Sequence, residues 1–475
     1  MKNKHAIRLV SLVLTLVALT SASATAATKN VIVMIADGAG FNTWRAAGMY
    51  QGKLGKEIYD GPGWSKYAVT TYALSLSETP RGTGEQQAEL VYDPARAWDR
   101  SPAGGVQKGG TGDFTGYNWL KSTATDSAAA ATAMATGKKS YNSAINWSDL
   151  DQPLSLSVAE LARQHGKAAG VVTSVQWSHA TPAAFGAAHR RDRDDYVEIA
   201  NEMLSADTLN VIMGAGHPDF DDDGKAAAAD PKYVGGAESW SQLKAGTHPG
   251  RWKLIQSKEE FQSLTIGPTP RRVVGTAQVR RTLQQSRLGY ETNDAPGSDP
   301  LNNNVPSLAV MTKAALNILD EDPDGLFLMV EGGAVDWANH QNQAARMIEE
   351  QLAFLEAVQT VVDWVAANSS WDETLLILTA DHETGMLWGP NSDTVAFQPL
   401  VDNGPGAMPG LHYNSGKHTN SLLPLYVRGA HGDRFAALAD GVDATAESTW
   451  GVGRYLNNTE LFDVVAIAVL RRIDQ

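Results

Sequence analysis

The sequence predicts an α/β fold in which a mostly parallel central sheet carries helices on both faces. Three observations support this prediction: short apolar runs recur along the chain, helical patterns separate them, and several of the runs end at acidic residues. The first run, Asn30–Ala36, is almost wholly apolar, which is typical of a strand buried on both faces of a parallel sheet. Alternation of such strands with helices is the pattern of α/β proteins.

The remaining predicted elements continue this alternation. Further strands are predicted at Ala168–Thr173, Leu209–Met213, Leu326–Val330, Thr374–Thr379 and Leu423–Val427. Helical patterns lie at Ser127–Thr136, Leu156–His165, Asp194–Leu204, Pro306–Leu319, Gln341–Ala367 and Thr459–Ile473. Polar stretches rich in Gly and Pro at about 78–118, 214–304 and 389–417 predict loop-rich insertions, because strands of the same kind resume after each of them.

The amino terminus has the pattern of an export signal. A basic start with Lys2 and Lys4 precedes an apolar run, Leu9–Thr20, and then a group of small residues. We therefore predict a cleaved signal peptide at residues 1–26, a catalytic domain over residues 27–475, and a periplasmic or secreted location. The apolar run is shorter than the ~20 residues that a membrane span needs, so no membrane anchor is expected.

Composition limits both the partners and the chemistry. Asp and Glu number 53 and Lys and Arg number 39, which gives a formal net charge of −14. That charge excludes broad electrostatic binding to nucleic acid or to an anionic membrane. The chain has no cysteine, so disulfides, thiolate metal sites and cysteine nucleophiles are excluded. Any bound metal must be held by His, Asp, Glu or hydroxyl oxygen.

Acidic and imidazole side chains gather at the predicted strand ends. They are Asp37 after the first strand, Glu331, Asp336 and His340 at and beyond the end of Leu326–Val330, Asp381 and His382 after Thr374–Thr379, and His418 shortly before the last strand. A single acid after a strand is usually a cap or turn residue, but its repetition at three strand ends indicates a site at this edge of the sheet. Oxygen and imidazole ligands suit catalytic zinc, and oxygen-rich positions suit magnesium.

Ser127 is the candidate nucleophile. It opens the helical pattern Ser127–Thr136 and so lies where unpaired backbone N–H groups favour an anion. The alternative is an ordinary serine helix cap. No G-x-S-x-G motif surrounds Ser127, so a hydrolase triad is not indicated. A bound metal can activate the hydroxyl instead.

Two charged segments admit more than one interpretation. In the run His189–Asp194, Arg193 can contact two phosphate oxygens at once, whereas Arg190 and Arg191 fit a solvated charge run. The acidic segment Asp219–Asp230 resembles a calcium loop, but its last acid is Asp where Glu is usual and no flanking helix pair is clear. A solvated acidic turn is therefore favoured there, with a calcium site as the alternative.

Six motifs in this order resemble the alkaline phosphatases. They are Asp37-Gly38, Thr125-Asp126-Ser127 with the alanines after it, His179-Ala-Thr181-Pro182, Glu331-x4-Asp336-Trp337-x2-His340, Thr379-Ala-Asp381-His382-Glu383-Thr384-Gly385, and His418-Thr419. Together they span residues 30 to 430. The Glu-x4-Asp-x3-His and T-A-D-H-E-T-G elements are specific, whereas D-G-x-G alone is weak.

The resemblance implies a set of metal ligands. One zinc would be held by Asp336, His340 and His418, a second by Asp37, Asp381, His382 and the Ser127 oxygen, and a magnesium ion or third zinc by Asp37, Thr181 and Glu331, with His179 as an indirect partner. Ser127 would be phosphorylated during turnover, and Arg193 would bind the phosphate. Arg193 lies one residue farther from Thr181 than the family pattern leads us to expect, so Arg190 and Arg191 remain alternatives.

Two positions depart from the best-known bacterial pattern. His179 stands where Asp is common near the third metal, and Trp337 stands where Lys is common near the phosphate. This combination resembles a marine-type branch of the family. Imidazole is a poorer magnesium partner than carboxylate, and loss of an ammonium group should weaken binding of product phosphate.

The sequence therefore predicts a secreted, metal-dependent phosphomonoesterase acting on small phosphate monoesters. A phosphodiesterase or phosphonate-ester hydrolase on the same scaffold is the alternative, and three metals with a phosphate-binding arginine favour monoesters. Ser127 beside a two-metal ligand set argues against a binding protein without chemistry. Nucleic acid is not expected as a specific partner. The family often forms homodimers, so a homodimer is one assembly to test.

Overall fold

A computed structural model describes residues 28–102, 114–292 and 294–470. The predicted signal peptide lies outside the described residues. The strands are β1 (Asn30–Ala36), β2 (Trp64–Thr70), β3 (Ala168–Gln176), β4 (Val211–Ala215), β5 (Lys253–Ile255), β6 (Val273–Thr276), β7 (Leu326–Gly332), β8 (Thr374–Thr379), β9 (Glu383–Thr384), β10 (Leu387–Trp388), β11 (His412–Tyr413), β12 (His418–Thr419), β13 (Leu423–Gly429), β14 (Gly441–Val442) and β15 (Arg454–Asn457).

The helices lie mainly between these strands. They are α1 (Phe41–Gln51), α2 (Pro94–Ala97), α3 (Thr115–Ser122), α4 (Ser127–Thr136), α5 (Val158–Gln164), α6 (Ala180–Phe185), α7 (Tyr196–Ser205), α8 (Gly236–Ala245), α9 (Lys258–Ser263), α10 (Leu308–Leu319), α11 (Ala334–His340), α12 (Ala344–Asn368), α13 (Ala444–Trp450) and α14 (Thr459–Val469).

A large mixed sheet organises the fold. Its strand order is β14-β15-β2-β13-β8-β1-β7-β3-β4-β6-β5. The run from β8 through β1, β7, β3, β4 and β6 to β5 is parallel throughout, and β13 is antiparallel to both of its neighbours, β8 and β2. The predicted α/β fold with a mostly parallel sheet is confirmed.

The core has two layers because the central strand β1 is buried on both faces. Ile32 and Met34 pack into the cluster that includes side chains of α1, α10 and α12. Val31, Val33 and Ile35 pack into the cluster that includes side chains of α4, α5, α6, α7 and α14. Since alternate side chains of a strand point to opposite faces, the continuous apolar run of β1 supplies both layers.

Some predicted elements differ from those in the structure. The strand predicted at Leu209–Met213 begins two residues later, as β4. The strands β5 and β6 lie within the stretch 214–304 and extend the sheet at its edge. These strands have three and four residues, which is too short for hydrophobic periodicity to indicate them in a polar stretch.

None of the helices in the described ranges is both long enough and apolar enough to cross a membrane.

Candidate active site

The candidate site lies at the carboxyl ends of four adjacent parallel strands, β8, β1, β7 and β3. Ile35 of β1 is opposite both Glu331 of β7 and Thr379 of β8, so the residues that follow these strands emerge side by side. Open α/β sheets bind ligands at this edge. The predicted site residues that these strands bring there are Asp37, Glu331, Asp381 and His382, together with His179 and Thr181 at the start of α6 after β3.

Two smaller elements complete the site. The helix α11 carries Asp336 and His340, which are four residues apart and so lie on one helix face. The strand β12 pairs with β9 and places His418 opposite Thr384. The structure therefore brings every predicted metal ligand to one edge of the sheet.

Close packing at the end of β1 depends on Gly38. Its φ is +71°, a left-handed conformation that favours glycine. A Cβ atom at this position would lie 2.7 Å from the Cα of Asp336. The Gly38 N–H donates a hydrogen bond of 3.1 Å to Asp381 Oδ1. Any larger residue would therefore separate the chain segments that carry Asp336 and Asp381.

One group of side chains surrounds His382. Its Nε2 lies 3.4 Å from Asp37 Oδ1, 3.4 Å from Asp381 Oδ2 and 3.1 Å from Ser127 Oγ. All four residues are buried. Both carboxylate oxygens of Asp37 and Oδ2 of Asp381 lack a hydrogen-bond partner. Buried carboxylate oxygens need a compensating partner, so this group suits a cation.

A second group joins Asp336, His340 and His418. His340 Nε2 lies 3.3 Å from Asp336 Oδ2, and His418 Nε2 lies 3.6 Å from Asp336 Oδ1. Thr384 donates a hydrogen bond of 2.6 Å to Asp336 Oδ1, which fixes that carboxylate.

The histidine rings of this group are oriented by backbone carbonyls. His340 Nδ1 lies 2.8 Å from the Gly416 carbonyl oxygen, and His418 Nδ1 lies 2.9 Å from the Thr125 carbonyl oxygen. A carbonyl only accepts, so each Nδ1 carries the proton. The two Nε2 atoms are 3.0 Å apart. In neutral rings each Nε2 carries a lone pair, and the two lone pairs face each other. A bound cation would stabilise this arrangement.

A third group contains Asp37, His179 and Glu331. Each offers one ligand atom within 4.8 Å of the others. The Thr181 hydroxyl, His179 Nδ1 and Glu331 Oε1 are buried without a hydrogen-bond partner, while Thr173 donates to the other Glu331 oxygen. His179 therefore lies near enough to share a cation with the two carboxylates. In the described part of the chain, the groups of three or more acidic or histidine residues close enough to share a metal all lie at this site.

Burial and mutual repulsion disfavour the charged forms of the carboxylates in this site. Burial, and next the charge of Asp381, raise the pKa of Asp37 well above its ordinary value. Burial also raises the pKa of Glu331 and that of Asp381. Burial, and next His418, lower the pKa of His382 well below its ordinary value, which leaves its lone pair free. Bound cations would favour these carboxylates in their charged forms and these imidazoles as ligands.

The nucleophile candidate lies in the first turn of α4. Asp126, not Ser127, caps this helix, because its side chain accepts a hydrogen bond from Ala129 N. Ser127 is the first helical residue, so its hydroxyl is free to face His382 rather than the helix end. The first-turn N–H groups have no partner within the helix. The cap alternative for Ser127 is therefore wrong, and the helix end can meet an anion.

Arg193 lies beside Ser127 in the pocket, and Arg190 and Arg191 do not line it. Arg193 Nη1 donates a hydrogen bond of 2.9 Å to Asp126 Oδ2, and Nη2 lies 3.3 Å from His179 Nε2. Burial lowers the pKa of Arg193, but Asp126, Tyr196 and Asp37 together raise it by more, so the net shift is upward.

Arg190 and Arg191 form ion pairs elsewhere. Arg190 pairs with Glu202 at 3.0 Å and Arg191 pairs with Asp151 at 2.7 Å.

A pocket of about 440 Å³ opens over these groups. Its lining residues are Ser127, His179, Arg193, Arg281, Asp336, Trp337, His340, Gln341 and His418. Sequence reasoning missed Arg281 and Gln341. Arg281 lies in a loop without a recognisable motif, and its neighbour Asp222 is 59 positions away, so no local signal pointed to it.

The acidic segment Asp219–Asp230 uses its carboxylates within the chain. Asp221 Oδ1 accepts hydrogen bonds from the N–H groups of Asp223 and Lys225. Asp222 pairs with Arg281, and Asp223 accepts from Leu288 N. These contacts join the acidic turn to the loop that carries Arg281.

A family model and individual relatives both match this chain. The model of the family described as alkaline phosphatase matches residues 83–443. Alkaline phosphatase H of Pseudomonas aeruginosa (strain UCBPP-PA14) is 29% identical over 410 residues, which cover 76% of this chain and 81% of that protein. The alkaline phosphatase of Escherichia coli (strain K12) is 28% identical over 410 residues, which cover 78% of this chain and 85% of that protein.

Solved structures share the fold. The alkaline phosphatase of the Antarctic bacterium TAB5 superposes with a TM-score of 0.59 at 21% identity, covering 93% of this chain and 98% of that one. A variant of that enzyme was solved with magnesium bound in its M3 site. At this level of identity the likeness concerns the fold alone.

Proposed function

The chain belongs to the alkaline phosphatase family and is a phosphomonoesterase, and from that premise we propose which residues carry the reaction. We propose that Ser127 is the nucleophile and that phosphate monoesters are hydrolysed through a phosphoserine. One observation carries this proposal: Ser127 Oγ is buried 3.1 Å from His382 Nε2, in a group where both oxygens of Asp37 and Oδ2 of Asp381 lack hydrogen-bond partners.

We propose that the site holds three cations. The residues fit them, because carboxylate oxygens and imidazole nitrogens converge in three groups there, and several of the buried atoms lack a hydrogen-bond partner. One zinc would be held by Asp336, His340 and His418, a second by Asp37, Asp381, His382 and Ser127, and a magnesium or third zinc by Asp37, Thr181 and Glu331, with His179 beside them. Bound there, the metals would lower the pKa of hydroxyl groups and of water and would neutralise charge on the phosphate and the leaving oxygen.

Ser127 and its helix carry out the first half of the reaction. Ser127 Oγ gives up its proton and forms a bond to phosphorus, while the bond between phosphorus and the ester oxygen breaks. The ester oxygen takes up a proton, and the alcohol departs. The N–H groups of the first turn of α4 point to where negative charge accumulates on the phosphoryl oxygens. Water then attacks the phosphoserine, which releases phosphate and restores Ser127.

Arg193 supplies the phosphate contact. Its planar guanidinium can donate two hydrogen bonds to phosphate oxygens. Its ion pair with Asp126, which caps α4, fixes the guanidinium relative to the nucleophile. A phosphate monoester has three phosphoryl oxygens free of ester bonds, and these can accept from such a set of donors. The site therefore favours monoesters over diesters.

The same proposal extends to location and partners. The leader pattern at residues 1–26 supports export to the periplasm or the medium. The substrates are small phosphate monoesters, and a homodimer is the assembly that we propose to test.

The test compares the wild type with Ser127→Ala. We expect the wild type to hydrolyse p-nitrophenyl phosphate, to prefer it to bis-p-nitrophenyl phosphate, and to lose activity together with counted zinc and magnesium after chelation. Ser127→Ala should lose most turnover and the acid-trapped phosphoenzyme. The matched control is Ser122→Ala, an exposed serine at the end of α3, which should keep both. Full activity or a normal phosphoenzyme in Ser127→Ala would refute Ser127 as the nucleophile.

A further inference from the structure

A second arginine lies in the active-site pocket, away from Arg193. Arg281 lines this pocket, and its guanidinium carbon is 5.9 Å from the centre of the Trp337 ring. Trp337 also contacts His179 edge-on, with ring centroids 6.1 Å apart. His179 in turn contacts Arg193 at 3.3 Å. The contacts therefore run from Arg281 through Trp337 and His179 to Arg193 along the wall of one pocket.

Asp222 holds Arg281 in this position. Arg281 N donates to Asp222 Oδ1 at 3.0 Å, and Nε donates to Asp222 Oδ2 at 2.7 Å. The Arg281 side chain is nevertheless 44% exposed. A guanidinium has five N–H donors, so donors remain beyond those that face Asp222. Because the side chain is already ordered, binding an anion costs less conformational entropy.

A purely structural role does not explain this arrangement. The neighbouring Arg280 anchors the loop, since it donates to the carbonyl oxygens of Phe220, Pro218 and Ala228. An ion pair as exposed as that of Arg281 adds little stability. What distinguishes Arg281 is its place in the wall of the pocket.

The net charge of the chain makes this cation useful. A formal charge of −14 opposes the approach of anionic substrates. The phosphate-binding end has Arg193, but a substrate with a second anionic group needs a second local cation. Arg281 supplies one in the wall of the same pocket, beside Trp337.

We propose that Arg281 determines specificity by binding an anionic group on the leaving-group side of the substrate. The preferred substrates are phosphate monoesters whose leaving group carries a carboxylate or a second phosphate. This inference rests on the proposed function, because it names the substrate class of the same site. Arg281 contacts the substrate away from the reacting atoms, beside the indole of Trp337.

The test measures kcat/KM for matched pairs of substrates on the metal-loaded enzyme. One pair is 3-phosphoglycerate and glycerol 3-phosphate, which differ by a carboxylate. The other is fructose 1,6-bisphosphate and fructose 6-phosphate, which differ by a phosphate. In Arg281→Gln, the ratio of kcat/KM for the more anionic member to that for its partner should fall roughly threefold to tenfold. A general loss of activity in a variant affects both substrates of a pair equally, so it cancels in the ratio.

Three further measurements define the outcome. Arg281→Lys should recover part of the ratio, because it restores the charge without the planar donors. Lys225→Gln removes one positive charge from an exposed residue that pairs with Asp223, so it should leave the ratio unchanged. Calorimetry on Ser127→Ala with and without Arg281→Gln should show the same selective loss in binding 3-phosphoglycerate.

The possible results are separable. An unchanged ratio in Arg281→Gln, or an equal fall in Lys225→Gln, overturns the inference for Arg281. A fall in one pair alone shows which anion Arg281 binds. An enzyme that hydrolyses none of the monoesters, including p-nitrophenyl phosphate, refutes the proposed function instead.

Discussion

Asp126 links the nucleophile helix to the phosphate-binding arginine, and its replacement tests both connections. Its Oδ1 accepts from Ala129 N at 2.9 Å and so caps α4, while Oδ2 accepts from Arg193 Nη1 at 2.9 Å and from Ser143 N at 3.0 Å. We propose two variants that separate these contacts. Asp126→Asn keeps a good helix cap but removes the charge that Arg193 faces, whereas Asp126→Ala removes both.

The expected magnitudes follow from these contacts. In both variants Arg193 loses the Asp126 carboxylate that holds its side chain in place. The side chain must then be ordered when phosphate binds, which costs about 0.5–1.5 kcal/mol. Since 1.4 kcal/mol is a factor of ten, KM for a monoester and the inhibition constant of free phosphate should rise roughly threefold to tenfold in both variants. Asp126→Ala should also lose about 1 kcal/mol of unfolding free energy because α4 loses its cap.

The assay is steady-state kinetics with p-nitrophenyl phosphate, with phosphate as competitive inhibitor, beside thermal unfolding of each variant. Asp126→Asn should show the kinetic change with little change in unfolding temperature, and Asp126→Ala should show both. The control is Asp151→Asn, which removes the charge paired with the exposed Arg191 and should leave the inhibition constant unchanged. An inhibition constant that stays at the wild-type value in both Asp126 variants would refute the role assigned to this ion pair.

Three further predictions concern the pocket and the core. Trp337→Lys adds an ammonium group to the pocket, so inhibition by phosphate should tighten. His179→Asp replaces an imidazole by a carboxylate beside Asp37 and Glu331, so the ratio of bound magnesium to bound zinc should rise, measured by metal counting. Burial, and next Glu349, raise the pKa of Glu350 from 4.5 to about 7. As the pH rises, Glu350 loses its proton at a lower pH in the unfolded chain than in the folded protein. The unfolding free energy of the wild type should therefore fall between pH 4.5 and 7. This fall should exceed that of Glu350→Gln by up to about 3 kcal/mol.

Each of these predictions has a result that would contradict it. An unchanged phosphate inhibition constant in Trp337→Lys removes the argument about the missing ammonium. Equal metal contents in His179→Asp and the wild type show that this residue does not influence the third cation. For Glu350, the control is Glu356→Gln on the exposed face of the same helix, whose unfolding should follow pH as the wild type does. Parallel pH profiles for Glu350→Gln and the wild type would show that Glu350 ionises normally.

The sheet and the position of the site could be predicted because both depend on a short-range pattern. A buried parallel strand must be apolar throughout, which made β1 and β8 visible in the sequence. The rule that ligands bind at the carboxyl ends of parallel strands then placed Asp37, Asp381 and His382 together. The other site residues were predicted from resemblance to a known family, through motifs such as the one around Ser127.

What the sequence did not reveal depends on contacts between distant segments. The strands β5 and β6 are held by pairing with their neighbours rather than by their own composition. Asp222 and Arg281 are 59 positions apart, and neither belongs to a motif. The serine-cap alternative for Ser127 stayed open in the sequence for a different reason, since Asp126 and Ser127 are both good capping residues and only the geometry decides between them.

The composition of α4 has a consequence for how enzymes of this type can diverge. All ten residues of this helix are buried, and apart from Met134 their side chains are small. A bulkier residue there would meet α5, α6 or α14, which pack against this helix, so α4 tolerates little variation. New substrate preferences are therefore expected to arise at the rim, where Trp337 and Arg281 can change without disturbing the serine beneath them.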